Sequence, residues 1–260
     1  MTIKKYCSSL ATLFAVTVMV LVFVNAKAQS IDSLFVKANK EYSAANYESA
    51  VAIYTQISDS GYVAADLFFN LGNSYFKLNQ IAPAILNYER ALLLSPQNDD
   101  IRFNLEMVRT FTVDRIEPLP EFILKTWYKA FRNLFTPTNW VYLSILFFAF
   151  SLLLITFFWF SHVRLVKRLS FTFAMFFLLL TLATAVFAAQ ENVKFTSRSE
   201  AIVMNPVVAV KSSPGETGKD IFILHSGTKV LITKTIGEWE EVKIADGNKG
   251  WIRKADVERI

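Results

Sequence analysis

The chain has 260 residues and a mean hydropathy of +0.34, and 53% of it is hydrophobic, 15% aromatic and 19% charged. Soluble domains carry about 25% charged residues, which excludes a wholly soluble protein, and this much apolar sequence also excludes a disordered or fibrous chain. One cysteine and two histidines exclude a disulfide framework and a cysteine-rich zinc site, so we expect no metal and no cofactor.

The formal net charge of +5 is unevenly distributed along the chain. Residues 118–198 hold eight basic and two acidic residues, a net charge of +6, and this is also the most apolar part of the sequence. Basic residues beside apolar segments meet lipid headgroups. No region shows the basic face of a folded domain that nucleic-acid binding requires. We therefore expect a lipid bilayer, and no nucleic acid, as a partner.

Residues 1–28 predict a signal peptide. Lys4 and Lys5 precede an apolar run over residues 10–24, and the triplet Ala26-Lys27-Ala28 then provides the small residues that signal peptidase needs. The alternative is an uncleaved anchor helix. Both interpretations place the residues that follow outside the cytoplasm.

Residues 29–111 show helical periodicity that repeats. Within residues 65–98, small residues stand where two antiparallel helices would approach closely, and a proline stands where the second helix would end. Together with the larger residues beside them, these are Leu71, Gly72, Tyr75, Ala84, Tyr88, Ala91 and Pro96. The segment resembles a tetratricopeptide repeat (TPR), whose signature positions they occupy. Residues 31–64 predict a degenerate second copy and residues 99–111 a capping helix, since a solenoid buries its apolar faces by stacking.

The TPR resemblance implies a groove that binds segments of other proteins and has no catalytic role. The candidate groove residues are Asp32, Phe35, Asn39, Asp66, Phe69, Asn70, Asn73 and Lys77. The phenylalanines fit a packing role equally well. Some TPR domains hold a C-terminal carboxylate with two asparagines and three basic residues. Here Phe35, Asp100 and Asn104 stand at the basic positions, which argues against such a clamp.

Residues 112–136 predict a linker and then an amphipathic helix on the membrane surface, bounded by prolines. Its apolar face consists of Phe122, Ile123, Trp127, Ala130, Phe131 and Leu134. The alternative is a simple extension of the span that follows. Residues 138–161 and 169–190 are each long and apolar enough to cross a bilayer. The short basic loop between them, residues 162–168, indicates the cytoplasmic side.

Residues 199–260, after a polar linker at residues 191–198, predict a small all-β domain. Its β-rich runs are Ala201–Met204, Val207–Lys211, Ile221–Leu224, Lys229–Thr235, Trp239–Ile244 and Gly250–Ile252. Closure of these strands into a barrel would remove exposed edges. Trp239 and the Gly250-Trp251 pair give the segment a resemblance to bacterial SH3-like (SH3b) domains. The resemblance implies contacts with proteins or cell-wall peptides, with Trp239 and Trp251 as candidate surface residues.

No motif indicates catalysis. The glycine-containing run at residues 215–220 has the wrong spacing for a phosphate-binding loop and no helix after it. His162 and His225 fall on opposite sides of the predicted membrane, so they cannot act together. The aromatic residues of the β domain are also too few for a groove that binds proline-rich peptides. We therefore expect a protein that is not an enzyme.

The expected fold is a multidomain membrane protein with all-α TPR repeats (29–111), two transmembrane helices and a small all-β SH3-like barrel. This domain order resembles the BatE-type proteins of the Bacteroides aerotolerance (Bat) operon. The resemblance implies a scaffold in the bacterial inner membrane whose N- and C-terminal domains face the periplasm. Its implied partners are membrane proteins with von Willebrand factor A domains, encoded beside a MoxR-type ATPase and linked to aerotolerance or stress. The alternative function is peptidoglycan binding by the SH3b domain, with the TPR domain as a spacer.

Overall fold

The structure is a computed structural model that describes residues 31–117, 119–120, 122–132, 134–197 and 199–260, apart from the side chains of residues 191 and 194–197. The predicted signal peptide, residues 1–28, lies outside the described residues. The chain divides between Gln80 and Ile81 into two compact units, and each contains a hydrophobic core of its own.

The described part of the first unit contains three helices: α1 (described over 31–43), α2 (Tyr47–Asp59) and α3 (Ala65–Lys77). Apolar residues at helical spacing give each helix one buried face. These faces meet in a core made of Ala38, Ala50, Tyr54, Ile57, Leu67 and Leu71. Ala38 and Ala50 are fully buried, so a larger side chain at either position would force the helices apart.

The second unit begins with α4 (Ile81–Leu94) and α5 (Asp99–Arg109). Asn98 caps α5, because its Oδ1 accepts hydrogen bonds from the backbone N–H groups of Asp100 and Ile101 at 3.0 and 3.1 Å. Most side chains of α4 between Ala82 and Ala91 are buried. Within its own unit α4 contacts both α5 and the first strand of the C-terminal sheet.

Three further helices follow: α6 (Ile123–Arg132), α7 (Pro137–Phe160) and α8 (Arg164–Ser197). In the described part of the chain, two stretches are long and apolar enough to cross a membrane, Pro137–Phe160 and Arg164–Gln190. α8 begins inside the predicted basic loop and continues to Ser197 through most of the predicted linker at residues 191–198. No glycine or proline interrupts this sequence, so nothing ends the helix where the apolar residues end.

Small and hydroxyl-bearing residues line the contact between α7 and α8. Ser151 Oγ donates a hydrogen bond to the backbone oxygen of Ala174 at 3.0 Å, and Ser144 Oγ donates to that of Thr181 at 3.3 Å. Small side chains let two apolar helices approach closely, and a hydroxyl among apolar residues must find its partner within the protein. α7 and α8 therefore form a packed antiparallel hairpin.

α6 is a separate element held against this hairpin by aromatic residues, so it is not an extension of α7. The buried Trp140 ring on α7 lies 5.9 Å from that of Phe131 on α6 and 5.0 Å from that of Phe187 on α8, between centroids. Tyr128 on α6 donates a hydrogen bond to Gln190 Oε1 on α8 at 2.5 Å. The long side chains of the apolar face predicted for α6 are exposed.

After α8 the chain forms one antiparallel sheet with the strand order β3-β2-β6-β5-β4-β1-β7. The strands are β1 (Glu200–Val203), β2 (Val207–Lys211), β3 (Asp220–His225), β4 (Lys229–Ile236), β5 (Trp239–Lys243), β6 (Lys249–Arg253) and β7 (Val257–Arg259). The sequence predicts strands at the first six places. β7 shows no β pattern, because two of its three residues are charged. Closure of the sheet into a barrel stays a prediction.

The inward-facing side chains of the strands form the core of the β domain. Its buried members are Ala201, Val203, Val208, Val210, Leu224, Val230, Val242, Ile244 and Ile252. Ile116, from the segment between α5 and α6, packs against this core. That segment is therefore part of the β domain's packing as well as a connection.

Replacing Trp140 by alanine should release α6 from the hairpin, because it removes the centre of the aromatic cluster and the hydrogen bond from Trp140 Nε1 to the backbone oxygen of Arg132. Truncating a buried aromatic residue costs about 3–5 kcal/mol. We expect faster tryptic cleavage at Lys129 in vesicle-embedded protein. Trp159→Ala is the matched control, since Trp159 lies at the other end of α7 and is 76% exposed. Equal cleavage rates for the two variants would contradict this role of Trp140.

Candidate protein-binding surfaces

The eight predicted groove residues lie on two helices of the first unit. Asp32, Phe35 and Asn39 are on α1, and Asp66, Phe69, Asn70, Asn73 and Lys77 are on α3. Asp32, Asp66 and Lys77 are exposed, and the other five are half-buried. Asp66 stands in the first turn of α3, whereas Lys77 ends that helix. Along α3, the acidic and basic positions are about 16 Å apart.

A hydrogen-bond network joins α1 to α3 at the predicted asparagines. Asn39 Oδ1 accepts a hydrogen bond from Tyr54 Oη at 2.5 Å and another from Asn70 Nδ2 at 3.2 Å. Burial raises the pKa of Tyr54 to about 12, so its hydroxyl remains a donor at neutral pH. The structure thus brings Asn39 and Asn70 together, and part of their hydrogen-bonding capacity holds the two helices in place.

The two groove phenylalanines are both half-buried. The ring of Phe35 lies 5.8 Å from that of Tyr54 in an edge-to-face arrangement and packs against the first unit's core. This geometry supports the packing role for Phe35. The predicted groove residues therefore offer polar and charged side chains on a surface whose phenylalanines are partly covered.

The two candidate tryptophans of the β domain differ in exposure. Trp251 on β6 is only 8% exposed, whereas Trp239 at the start of β5 is half-buried. The guanidinium of Arg253 lies 6.0 Å from the centroid of the Trp239 ring, which is cation–π distance. Of the two, Trp239 offers more surface to a partner.

A buried carboxylate joins α4, α5 and the sheet. Glu89 on α4 is 5% exposed and accepts hydrogen bonds from Arg109 of α5 and from Lys229 Nζ of β4, the latter at 2.8 Å. Lys229 Nζ is also 2.8 Å from Glu200 Oε2 on β1. Desolvation opposes the charge of Lys229, but Glu89 and Glu200 outweigh it, so the pKa of Lys229 is raised. We call these four residues the helix–sheet junction.

Asp114 fastens the segment after α5 to the turn between β3 and β4. Its Oδ2 accepts hydrogen bonds from the backbone N–H of His225 at 2.7 Å and from Thr228 Oγ1 at 2.6 Å. Its Oδ1 lies 2.7 Å from His225 Nδ1. Burial opposes the charge of Asp114, but the bonds from Thr228 and His225 outweigh it and lower its pKa. Asp114 therefore holds the segment as a carboxylate.

The same turn approaches the helices closely at Gly227, whose φ is +90°. A Cβ atom there would lie 2.9 Å from Thr112 Cγ2 and 3.1 Å from Ile85 Cδ1, so glycine suits both the backbone conformation and the contact. On another strand, Arg90 of α4 binds Glu258 of β7 at 3.0 Å. α4 is thus attached to the sheet at several points.

No sequence pattern indicates the helix–sheet junction. Glu89 stands between the buried Tyr88 and Ala91 on α4, and a buried charge needs a partner. That signal is local, and nothing near it indicates Lys229, 140 residues later. Asp114 lies in a segment that the sequence predicts to be a linker, and its role depends on a turn that forms only in the folded sheet.

Comparison with known proteins identifies one repeat. A family model for the tetratricopeptide repeat matches residues 65–98, which confirms the repeat predicted there. The matched segment contains α3 and α4 with their connecting turn. A search of curated proteins gives no match. TPR repeats are typically non-catalytic and bind other proteins, so this part of the chain is of a protein-interaction type.

Acidification should weaken the attachment at Asp114. Because its pKa is lowered on folding, its stabilisation is complete above the unfolded value of 3.8 and is lost as the pH falls through the folded pKa. Asp114→Asn should lower the free energy of unfolding at pH 7 by about 1.5–3 kcal/mol and flatten its fall below about pH 4. Urea unfolding in micelles measures both effects. Asp59→Asn, at the exposed end of α2, is the control and should leave the acid-dependent fall unchanged.

Glu89→Gln should destabilise the second unit by about 1.5–3 kcal/mol, because it removes the buried carboxylate that accepts hydrogen bonds from Arg109 and Lys229. Urea unfolding in micelles measures this loss, and Glu106→Gln on the exposed face of α5 is the control. Lys229→Met alone should also destabilise the unit. The double variant Glu89→Gln/Lys229→Met should lose less than the sum of the single variants, since the charges disappear together. Strict additivity would contradict the coupling of Glu89 and Lys229.

Proposed function

We propose that this protein is a non-enzymatic membrane adaptor that presents a TPR domain and a β domain to other membrane proteins. The observation that carries the proposal is the TPR repeat at residues 65–98, next in the chain to an amphipathic helix and two helices long enough to span a bilayer. Repeats of this type bind proteins, and the apolar hairpin would anchor the protein in the membrane.

The exposure of the hairpin supports insertion in a bilayer. Most residues of α7 and α8 are exposed within the structure, including large side chains such as Phe148, Leu152 and Phe176. The core helix of a soluble protein would bury such residues. An uninterrupted apolar surface of this size needs lipid around it.

The helix–sheet junction supports placing α4, α5 and the β domain on the same side of that bilayer. These parts lie before and after the hairpin in the chain, yet Glu89 contacts Lys229, and Asp114 contacts Thr228. An antiparallel pair of spans returns the chain to the side from which it entered, which fits this contact.

The cellular location, the barrel fold and the identity of the partners are proposed from features of the sequence. The predicted signal peptide favours the periplasmic side of a bacterial inner membrane. The SH3b resemblance favours a closed barrel for residues 199–260. The resemblance to BatE-type proteins favours a Bat/MoxR-linked envelope complex for aerotolerance or stress, with the von Willebrand factor A-domain Bat proteins as partners.

Partner binding through the groove is tested by photo-cross-linking in cells. A photoreactive residue in place of the exposed Lys77 should give an adduct with one membrane protein, identified by mass spectrometry. Asp66→Arg should abolish that adduct, because it reverses a charge on the same face of α3. Asp59→Arg makes the same change on α2 and should leave the adduct intact. An adduct that survives Asp66→Arg, or none at all, would count against the groove.

The alternative, peptidoglycan binding, is distinguished with purified sacculi. The exposed part of the Trp239 ring is the feature that favours it. Full-length protein in mild detergent should stay in the supernatant if the protein is an adaptor only. Strong pelleting that Trp239→Ala abolishes would favour the cell-wall function. The full chain is used because the junction with α4 and α5 supports the β domain.

A further inference from the structure

A cleft of about 1160 Å³ lies within the second unit, between the segment that follows α5 and the sheet. The walls come from that segment and the start of α6 on one side, and from β1, β4 and the end of β5 on the other. Five basic residues line it: Arg109, Arg115, Lys125, Lys229 and Lys243. The cleft is therefore a place where an anion would meet several positive charges.

Two of these basic residues are available to a ligand. Arg109 and Lys229 are committed to the buried Glu89. Arg115 and Lys243 make no ion pair or hydrogen bond through their side chains with any residue that the structure describes. Three acids, Asp114, Glu117 and Glu200, also line the cleft. With five basic and three acidic side chains, the lining as a whole carries a net positive charge.

The position of the cleft relates it to the apolar hairpin. The backbone N–H of Leu119 donates a hydrogen bond to the oxygen of Ala245 at the cleft wall, at 3.2 Å, and α6 starts four residues later at Ile123. Four residues span at most about 14 Å. Tyr128, about one and a half turns into α6, contacts Gln190, where the apolar part of α8 ends. The headgroup layer on each side of a bilayer is roughly 5–8 Å thick, so the cleft opens close to it.

Apolar side chains stand at the same end of the cleft. Leu119 and Phe122 line it and are 56% and 70% exposed. They adjoin the exposed apolar face of α6. A ligand that joins an anionic group to hydrocarbon matches this combination of free cations and uncovered apolar residues.

We propose that the cleft binds the headgroup of an acidic phospholipid, with the phosphate between Arg115 and Lys243 and the glycerol and upper acyl chain against Leu119 and Phe122. The lipid comes from the bilayer that surrounds α7 and α8, so this inference rests on the proposed membrane insertion. An acidic peptide would satisfy the cations but would leave the apolar residues beside α6 uncovered. The bound lipid fixes the β domain at the membrane surface.

The test uses the full-length protein reconstituted into vesicles that contain phosphatidylcholine and about one fifth photoreactive phosphatidylglycerol. Flotation and resistance to alkaline extraction first establish insertion. Irradiation should then attach phosphatidylglycerol to peptides around Arg115 and Lys243. Arg115→Gln/Lys243→Gln should lower the adduct yield about tenfold or more, since each basic residue at a membrane surface contributes about 1 kcal/mol. Lys219→Gln/Lys234→Gln, an equal loss of charge at exposed sites of the β domain, should leave the yield unchanged.

The outcomes separate the two levels of the proposal. Protein that fails to float or is extracted by alkali contradicts membrane insertion itself. Inserted protein whose adduct yield is the same in both double variants contradicts the lipid cleft alone. Suppression of the adduct by millimolar inorganic phosphate would show a site for a small soluble anion and overturn the lipid assignment. Displacement of the lipid by an acidic peptide would do the same.

Discussion

The buried carboxylate of Glu89 is the contact on which the arrangement of the second unit depends. It holds Arg109 on α5 and Lys229 on β4, and Lys229 in turn holds Glu200 on β1. Buried ion pairs add little net stability compared with apolar residues of the same size, because desolvation offsets much of their attraction. A buried ion pair forms only when both charged groups are correctly placed, however. We infer that this junction mainly selects which part of the sheet meets α4, since a shifted docking would leave the buried carboxylate of Glu89 without partners.

This contact restricts how the chain can cross a bilayer. α4 ends at Leu94 and β1 begins at Glu200, and the whole apolar hairpin lies between them. Two parts of a chain that touch must lie on the same side of a membrane, so the number of crossings between them must be even. The hydrogen bonds from Ser144 and Ser151 across the α7–α8 contact fit two crossings in one packed hairpin. The contact between α4 and the sheet and the packing of α7 against α8 are thus two independent observations that both favour an even number of crossings.

The sequence predicts the features that depend on local periodicity. The repeat at residues 65–98, the two apolar helices and six strands each show a pattern that is visible within a short stretch of sequence. Residues 191–198 are predicted to be a linker because the sequence becomes polar there, yet α8 continues to Ser197 because no glycine or proline ends it. β7 has no pattern of its own and exists because β1 offers it an edge.

Among the candidate site residues, the sequence placed Asn39 and Asn70 on helices that meet, because both lie on the first helices of adjacent predicted repeats. It could not show that Phe35 packs on Tyr54 or that Trp251 is largely covered, since both depend on neighbours distant in sequence. The helix–sheet junction could not be predicted from the sequence for the same reason. Glu89, Asp114 and Lys229 are ordinary charged residues until folding brings them together.

The β domain is connected to the hairpin at two points, and this limits where a partner can reach it. On one side, Leu119 is bonded to the sheet and lies a few residues from α6. On the other, α8 continues about 10 Å beyond Gln190 to Ser197, and β1 starts three residues later, at most about 10 Å further on. A domain tied at one point could swing away from the bilayer, but ties at both β1 and the turn after β5 restrict this movement. If α7 and α8 span a membrane, the sheet must stay within roughly 20 Å of it, where partners embedded in the same bilayer are favoured over distant soluble ones.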